Sequence, residues 1–237
     1  MKAILFDFWS TIFLSTYEGE KTYDGLMSYL SKNPHNYTAQ EIAATGKKVF
    51  DELRGKNPIT GPEFTFEEQQ KIVEQLLDIE FSIPYLEREY IYLKSCHLNL
   101  RLAPHLQDLL EYAHKEDYRL AVVSNTTMHS ETQKRLINEY CPNAHFEFVL
   151  SSSEVSYRKP HPNIFQIALD KLGLPAEEVY FVGDNYVADV VGSSQLNLRP
   201  VYYKHDSGMG GEPAEKVIPY LEIHDYLDFI TYLKSHN

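Results

Sequence analysis

Three short apolar runs in this 237-residue chain each stop at residues that can do chemistry. Ala3-Ile-Leu-Phe6 ends at Asp7, Leu120-Ala-Val-Val123 at Ser124-Asn125, and Val179-Tyr-Phe-Val182 at Gly183-Asp184. Carboxylates offer nucleophilic oxygens or hard ligands for a cation, while a hydroxyl and a carboxamide can donate hydrogen bonds to an anion. Arg158-Lys159-Pro160 adds positive charge, and Asp189 a further carboxylate shortly after Asp184. Trp9, the single tryptophan, stands two residues after Asp7. Its indole donates one hydrogen bond but exchanges no proton at neutral pH.

For these residues to act together the strands that end in them must be neighbours. Lys2 to Phe6 reads as a buried strand, being a short apolar run charged only at its start. From Tyr17 to Cys96 the texture changes to helical spacing, with Tyr23, Leu26, Met27 and Leu30, then Ile42, Val49 and Leu53. Thr65 followed by Glu68 is an N-cap signature, Pro84 suits a helix start, and turn residues punctuate 33–36 and 57–62. Start and stop signals suggest roughly four helices in this insertion. Beyond Leu100 the pattern alternates: helix from Pro104 to His114, strand from Arg119 to Val123, helix from Thr132 to Tyr140, strand from Phe146 to Leu150. Then come helix Pro162 to Leu172, strand Val179 to Val182, helix Ala188 to Leu196, strand Pro200 to Tyr203, a weak strand near Val217, and helix Asp225 to Leu233. Strands alternating with helices imply an α/β fold with a mainly parallel sheet covered on both faces. In such a sheet the ligand site lies outside the carboxyl ends of the strands, so Asp7, Ser124 and Asp184 would face one pocket.

Together the four motifs, in this order, resemble those of the haloacid dehalogenase superfamily: Asp7 with Ser10-Thr11 and Ile12, Ser124-Asn125, Arg158-Lys159-Pro160, and Gly183-Asp184-Asn185 with Asp189. Any one motif is weak and the set is specific; the likeness spans nearly the whole chain. The resemblance implies a Rossmann-like catalytic core over residues 1–16 and 97–237 and an inserted helical cap over 17–96. It also implies that Asp7 is a nucleophile forming an aspartyl intermediate that water hydrolyses. Mg²⁺ would be held by Asp7, Asp184 and the backbone carbonyl of Trp9, with Asp189 fixing a metal-bound water or Lys159. Ser124 and Asn125 belong to the second motif, where the Ser124 hydroxyl meets a phosphoryl oxygen. Lys159 supplies a positive charge to phosphate and Asp7, and Thr11 orients the nucleophile. A carboxylate can attack phosphorus only once the phosphoryl charge is neutralised, which is what the cation and donors would do.

At the position of Trp9 most phosphatases of that family carry the acid/base residue. Its loss costs most with alkyl phosphates, whose alkoxide needs a proton, and little with acyl or aryl phosphates; a missing general acid is worth about 10²–10⁴-fold. The expected activity is therefore a slow or selective Mg²⁺-dependent phosphatase acting on a small phosphorylated metabolite. The alternatives are metal-free dehalogenation, whose enzymes also lack an aspartate here but tend to replace Gly-Asp of the fourth motif, and a weakly catalytic member that binds a phosphorylated ligand or a protein.

Composition sets outer bounds. A formal charge of −12 argues against nucleic-acid and anionic-membrane partners. Two cysteines, Cys96 and Cys141, lie far apart and outside any CxxC pairing, which fits a reducing cytoplasmic setting. No apolar stretch approaches the ~20 residues that span a bilayer. Within the insertion, Lys21, Arg54 and Lys56 are candidates for contact with an anionic substrate, though solvated surface is the simpler reading of each. His129 and His161 lie near the motifs without a metal-binding spacing.

Overall fold

The computed structural model describes residues 2–55, 61–205 and 218–236. Within them the strands are β1 (Ala3–Phe6), β2 (Phe13–Tyr17), β3 (Leu30–Lys32), β4 (Glu80–Phe81), β5 (His97–Leu102), β6 (Arg119–Ser124), β7 (Val149–Ser151), β8 (Val179–Gly183), β9 (Arg199–Tyr203) and β10 (Leu221–Ile223). The helices are α1 (Ala39–Arg54), α2 (Phe66–Leu77), α3 (Tyr85–Cys96), α4 (Leu106–Lys115), α5 (Ser130–Tyr140), α6 (Ser152–Val155), α7 (Pro162–Leu172), α8 (Gly192–Ser194) and α9 (Tyr226–His236). Six strands form one sheet in the order β10-β9-β8-β1-β6-β7, every pairing parallel.

Side chains alternate across a strand, so a run that is apolar at every position must be covered on both faces. Ile4, Phe6, Leu120, Val122, Tyr180 and Val182 pack on one face against residues of α4 and α9. Ala3, Leu5, Ala121, Val123, Val179 and Phe181 pack on the other against α7. This explains why the three motif strands read as continuous hydrophobic runs and why all three lie at the centre of the sheet. The expected α/β fold with a mainly parallel sheet is what the chain adopts.

Residues between β2 and β5 build a second apolar cluster around Tyr23, Leu26, Ile42, Val49, Val73 and Ile79. Among the described residues, two of the three α-helices there start with complete capping boxes, Thr38 with Glu41 on α1 and Thr65 with Glu68 on α2; such caps are each worth about 1 kcal/mol. The chain leaves and re-enters the sheet region through one antiparallel ribbon, in which Phe13 pairs with Leu102 and Tyr17 with His97. Alternation in that ribbon is too short and mixed to have been read from the sequence.

Several local expectations are corrected. The stretch with helical spacing from Tyr23 to Leu30 is a 3-10 helix over Asp24–Tyr29 running into β3, leaving three α-helices in the insertion among the described residues. Here the Gly25 amide, a first-turn donor without a partner inside the helix, donates to the Ser95 hydroxyl on α3 at 3.2 Å. The helix expected from Ala188 to Leu196 starts as a π-helical segment, Tyr186–Val191. The strand expected from Phe146 is only Val149–Ser151. Lys56, the turn at 57–60 and Val217 lie outside the described residues.

Candidate active site

Register brings the three strand ends level. Phe6 pairs with Val122 on one side and with Val182 on the other. One step further along, Asp7 stands beside Val123 and Gly183, and its amide donates to the Val182 carbonyl at 2.8 Å, extending the ladder. Ser124 and Asp184 lie one residue beyond. The residues that end these runs therefore meet at the carboxyl edge of the sheet, because the strands are adjacent, parallel and in step.

Asp7, Asp184 and Asp189 offer carboxylate oxygens that all lie within 4.8 Å of one another. Into this cluster the fully buried Lys159 ammonium projects, 2.6 Å from Asp7 Oδ1 and 2.7 Å from Asp189 Oδ1. Burial alone would push the lysine toward neutrality, but Asp189 and then Asp7 outweigh it, and its pKa lies above the ordinary value. Burial pushes the Asp189 carboxyl up to about 6, a rise opposed by Lys159 and reinforced by the charge of Asp7. The Lys159 ammonium is thereby held charged between the two carboxylates. Three carboxylates against one ammonium leave a formal excess of two negative charges, an oxygen-only donor set whose charge matches a hard dication such as Mg²⁺.

Neighbouring residues hold this arrangement. Asn125 grips the Lys159 backbone at both ends, accepting from its N–H at 2.7 Å and donating Nδ2–H to its carbonyl at 2.8 Å. Asp189 accepts from the Asn185 amide at 2.9 Å. A Cβ at Gly183 would collide with the Asp189 carboxylate, so only glycine lets β8 pass this close. Tyr226 on α9 donates its hydroxyl to the Thr11 carbonyl at 2.9 Å. Ser124 and Thr11 are 1% and 0% exposed, and their hydroxyls have no hydrogen-bond partner among the described residues. Buried hydroxyls are nearly always satisfied, so this pair near the carboxylates fits a polar guest such as a phosphoryl group.

Trp9 is turned onto His97. The two rings stack at 4.0 Å between centroids and 6° between planes, and Phe8 meets the indole edge-on at 4.9 Å. His97 hydrogen-bonds Ser15 through Nδ1 at 2.8 Å, and burial lowers its pKa to about 4, so it is neutral. No sequence signal pairs residues 9 and 97; the ribbon does, by placing β5 over the loop after β1. The other missed contact is a buried clamp at the edge of the site. Glu63 binds Arg54 at 2.8 Å and Arg158 at 3.0 Å, and accepts from the Ser152 hydroxyl at 2.8 Å. Arg54 is therefore already paired with Glu63, and Lys21 with Glu18 at 2.9 Å. His129 pairs with Glu154, and His161 caps α7 by accepting from the Asn163 amide.

The haloacid dehalogenase-like hydrolase family model matches residues 1–196. The chain belongs to this family of hydrolases. A glyceraldehyde 3-phosphate phosphatase from Pyrococcus furiosus is 28% identical over 152 residues, which are 64% of this chain and 60% of that protein. The chain thus spans about three fifths of that relative's length. Among solved structures, a HAD phosphatase from Thermococcus onnurineus superposes with a TM-score of 0.62 at 21% identity over 98% of both chains. A 2-haloacid dehalogenase from Pseudomonas syringae reaches 0.65 at 19% identity over all of both chains. These likenesses concern the fold. No helix among the described residues is long and apolar enough to cross a membrane.

Proposed function

We propose that this chain is a Mg²⁺-dependent phosphatase for a small phosphorylated metabolite, working through a phosphoryl group carried on Asp7, and that Trp9 makes it selective for substrates whose leaving group needs no proton. The observation that carries the reading is Lys159, buried and shared between Asp7 and Asp189 beside Asp184. Lys159 neutralises and aims the attacking oxygen of Asp7. Asp189 fixes the lysine, and Asn125 fixes its backbone. The Ser124 hydroxyl donates to a phosphoryl oxygen, and Thr11 braces the loop that carries the nucleophile. Asp7, Asp184 and the Trp9 carbonyl would hold Mg²⁺, which when bound neutralises phosphoryl charge. Acting through these groups, the site lowers the barrier by positioning and electrostatics.

Residues 17–96 are assigned as a cap over a core of 1–16 and 97–237, shielding the transfer from water. Supporting contacts cross between the two parts: the Phe66 amide donates to the Thr127 carbonyl at 2.7 Å, Glu89 accepts from the His129 amide at 3.0 Å, and Glu63 binds Arg158. Activity of the P. furiosus relative supports phosphate chemistry; Asp184 supports it over dehalogenation, which needs no metal ligand there. The purified protein should release phosphate from an aryl phosphate with Mg²⁺ and not with EDTA. Halide released from 2-chloropropionate in EDTA, without phosphatase activity, would overturn the reading in favour of its dehalogenase alternative.

A further inference from the structure

Among residues 17–92, and reaching Thr127 beyond β6, the structure holds a cavity of about 530 Å³, within the roughly 300–1,000 Å³ usual for small-molecule sites. Its walls are largely aromatic, from Tyr17, Tyr23, Phe50, Phe66 and Tyr92, and its floor on the core side is Thr127. Thr127 follows Ser124 by three residues, so their Cα atoms stand no more than about 11 Å apart. On its other flank the Tyr17 ring lies 5.4 Å from that of His97, which in turn stacks on Trp9. On α1 the small residues Ala43, Ala44 and Gly46 line it together with Gln40, Lys47, Phe50 and Asp51.

Charge narrows the occupant. The charged residues lining the cavity are Glu20, Lys47 and Asp51, and Lys47 is held by Asp51 at 2.5 Å. Among the described residues this leaves no surplus cation in the lining to receive a second anionic group. We infer that the cavity receives the leaving group of the substrate as a neutral, flat apolar moiety, so that the substrate class is aryl phosphate monoesters. This rests on the phosphatase reading above and deepens it, because a phenolate is a leaving group that departs without a proton from residue 9. In the reaction an Asp7 oxygen bonds to phosphorus as the phosphorus–phenolic oxygen bond breaks, its electron pair leaving as phenolate. Water then displaces the Asp7 oxygen, restoring the carboxylate and giving inorganic phosphate, while the proton released from water goes to phosphate or phenolate.

The test compares 1-naphthyl phosphate with phenyl phosphate, whose leaving groups are of similar acidity, and uses acetyl phosphate as a substrate too small to reach the cavity. The second ring should raise kcat/KM by about tenfold or more through its burial. Ala44→Trp, introduced from the exposed side of α1, should erase that preference, bringing the naphthyl-to-phenyl ratio of kcat/KM to about one; Ala43→Phe repeats the test if the first variant misfolds. Calorimetry with Asp7→Asn, which cannot turn over, should show the same preference in binding and its loss in Asp7→Asn/Ala44→Trp. Equal rates and equal binding for the two aryl phosphates, unaffected by Ala44→Trp, would overturn the cavity assignment. Silence on every phosphate with Mg²⁺, alongside ring-dependent binding that Ala44→Trp removes, would instead end the phosphatase reading and keep the cavity.

Discussion

Trp9→Asp restores a proton donor where the indole now stands, and its consequences divide cleanly between chemistry and stability. Loss of a general acid is worth about 10²–10⁴-fold, so the variant should gain up to that factor on an alkyl phosphate such as butyl phosphate. Acetyl phosphate, which expels a weakly basic carboxylate, should change little, and the diagnostic quantity is the ratio of the two kcat/KM values. The structure also sets a penalty. The indole stacks on His97 and meets Phe8 edge-on, and aromatic pairs of this kind contribute about 0.5–1.5 kcal/mol each. Losing both should cost roughly 1–3 kcal/mol, a fall in Tm of roughly 2–12 °C for a chain this long. Phosphate release is followed colorimetrically at saturating Mg²⁺, with Tm measured on the same preparation. A folded Trp9→Asp protein whose alkyl-to-acyl ratio equals that of the wild type would refute the missing-acid argument. A variant without any loss of Tm would show that the stack on His97 contributes nothing to stability.

Lys159→Met leaves the carboxylates of Asp7 and Asp189 buried without their counter-ion, which should cost about 3–5 kcal/mol in EDTA by urea unfolding and enlarge the Mg²⁺-induced rise in Tm; an unchanged metal shift would contradict the assigned cluster. Gly183→Ala forces β8 away from Asp189 and should lower kcat at least tenfold with a smaller change in KM, read by steady-state kinetics, whereas wild-type kcat would show the close approach to be dispensable. His97 gives a pH signature: its folded pKa of about 4 lies below the unfolded 6.5, so the unfolded chain takes up the proton first. Its contribution is complete above about pH 6.5 and is lost as pH falls toward 4, about 2 kcal/mol between roughly pH 7 and 5; His97→Asn should flatten that part of the urea-stability profile. Glu63→Gln strips the shared carboxylate from Arg54 and Arg158 and should destabilise by about 3–5 kcal/mol, with cap and core separating more readily in limited proteolysis.

Much of the site was legible in the linear order of residues because its parts sit where apolar runs stop. Alternation of strands and helices, the two Thr-to-Glu capping boxes and the four motifs are all local signals, set by periodicity and by side chains that satisfy nearby backbone groups. They pointed to an α/β core and to Asp7, Ser124 and Asp184 at neighbouring strand ends, while Lys159 and Asp189 joined the set through the resemblance of the motifs. Tertiary structure alone decided what those residues do to one another: Lys159 meets Asp7 from 152 positions away, a distance no periodicity encodes. It likewise turned Trp9 onto a neutral His97, tied the 3-10 helix of the Tyr23–Leu30 stretch to Ser95, and left a cavity bordered by α1 and by aromatic rings. These outcomes depend on which distant surfaces pack together, and packing is settled by the whole fold rather than by any segment of it.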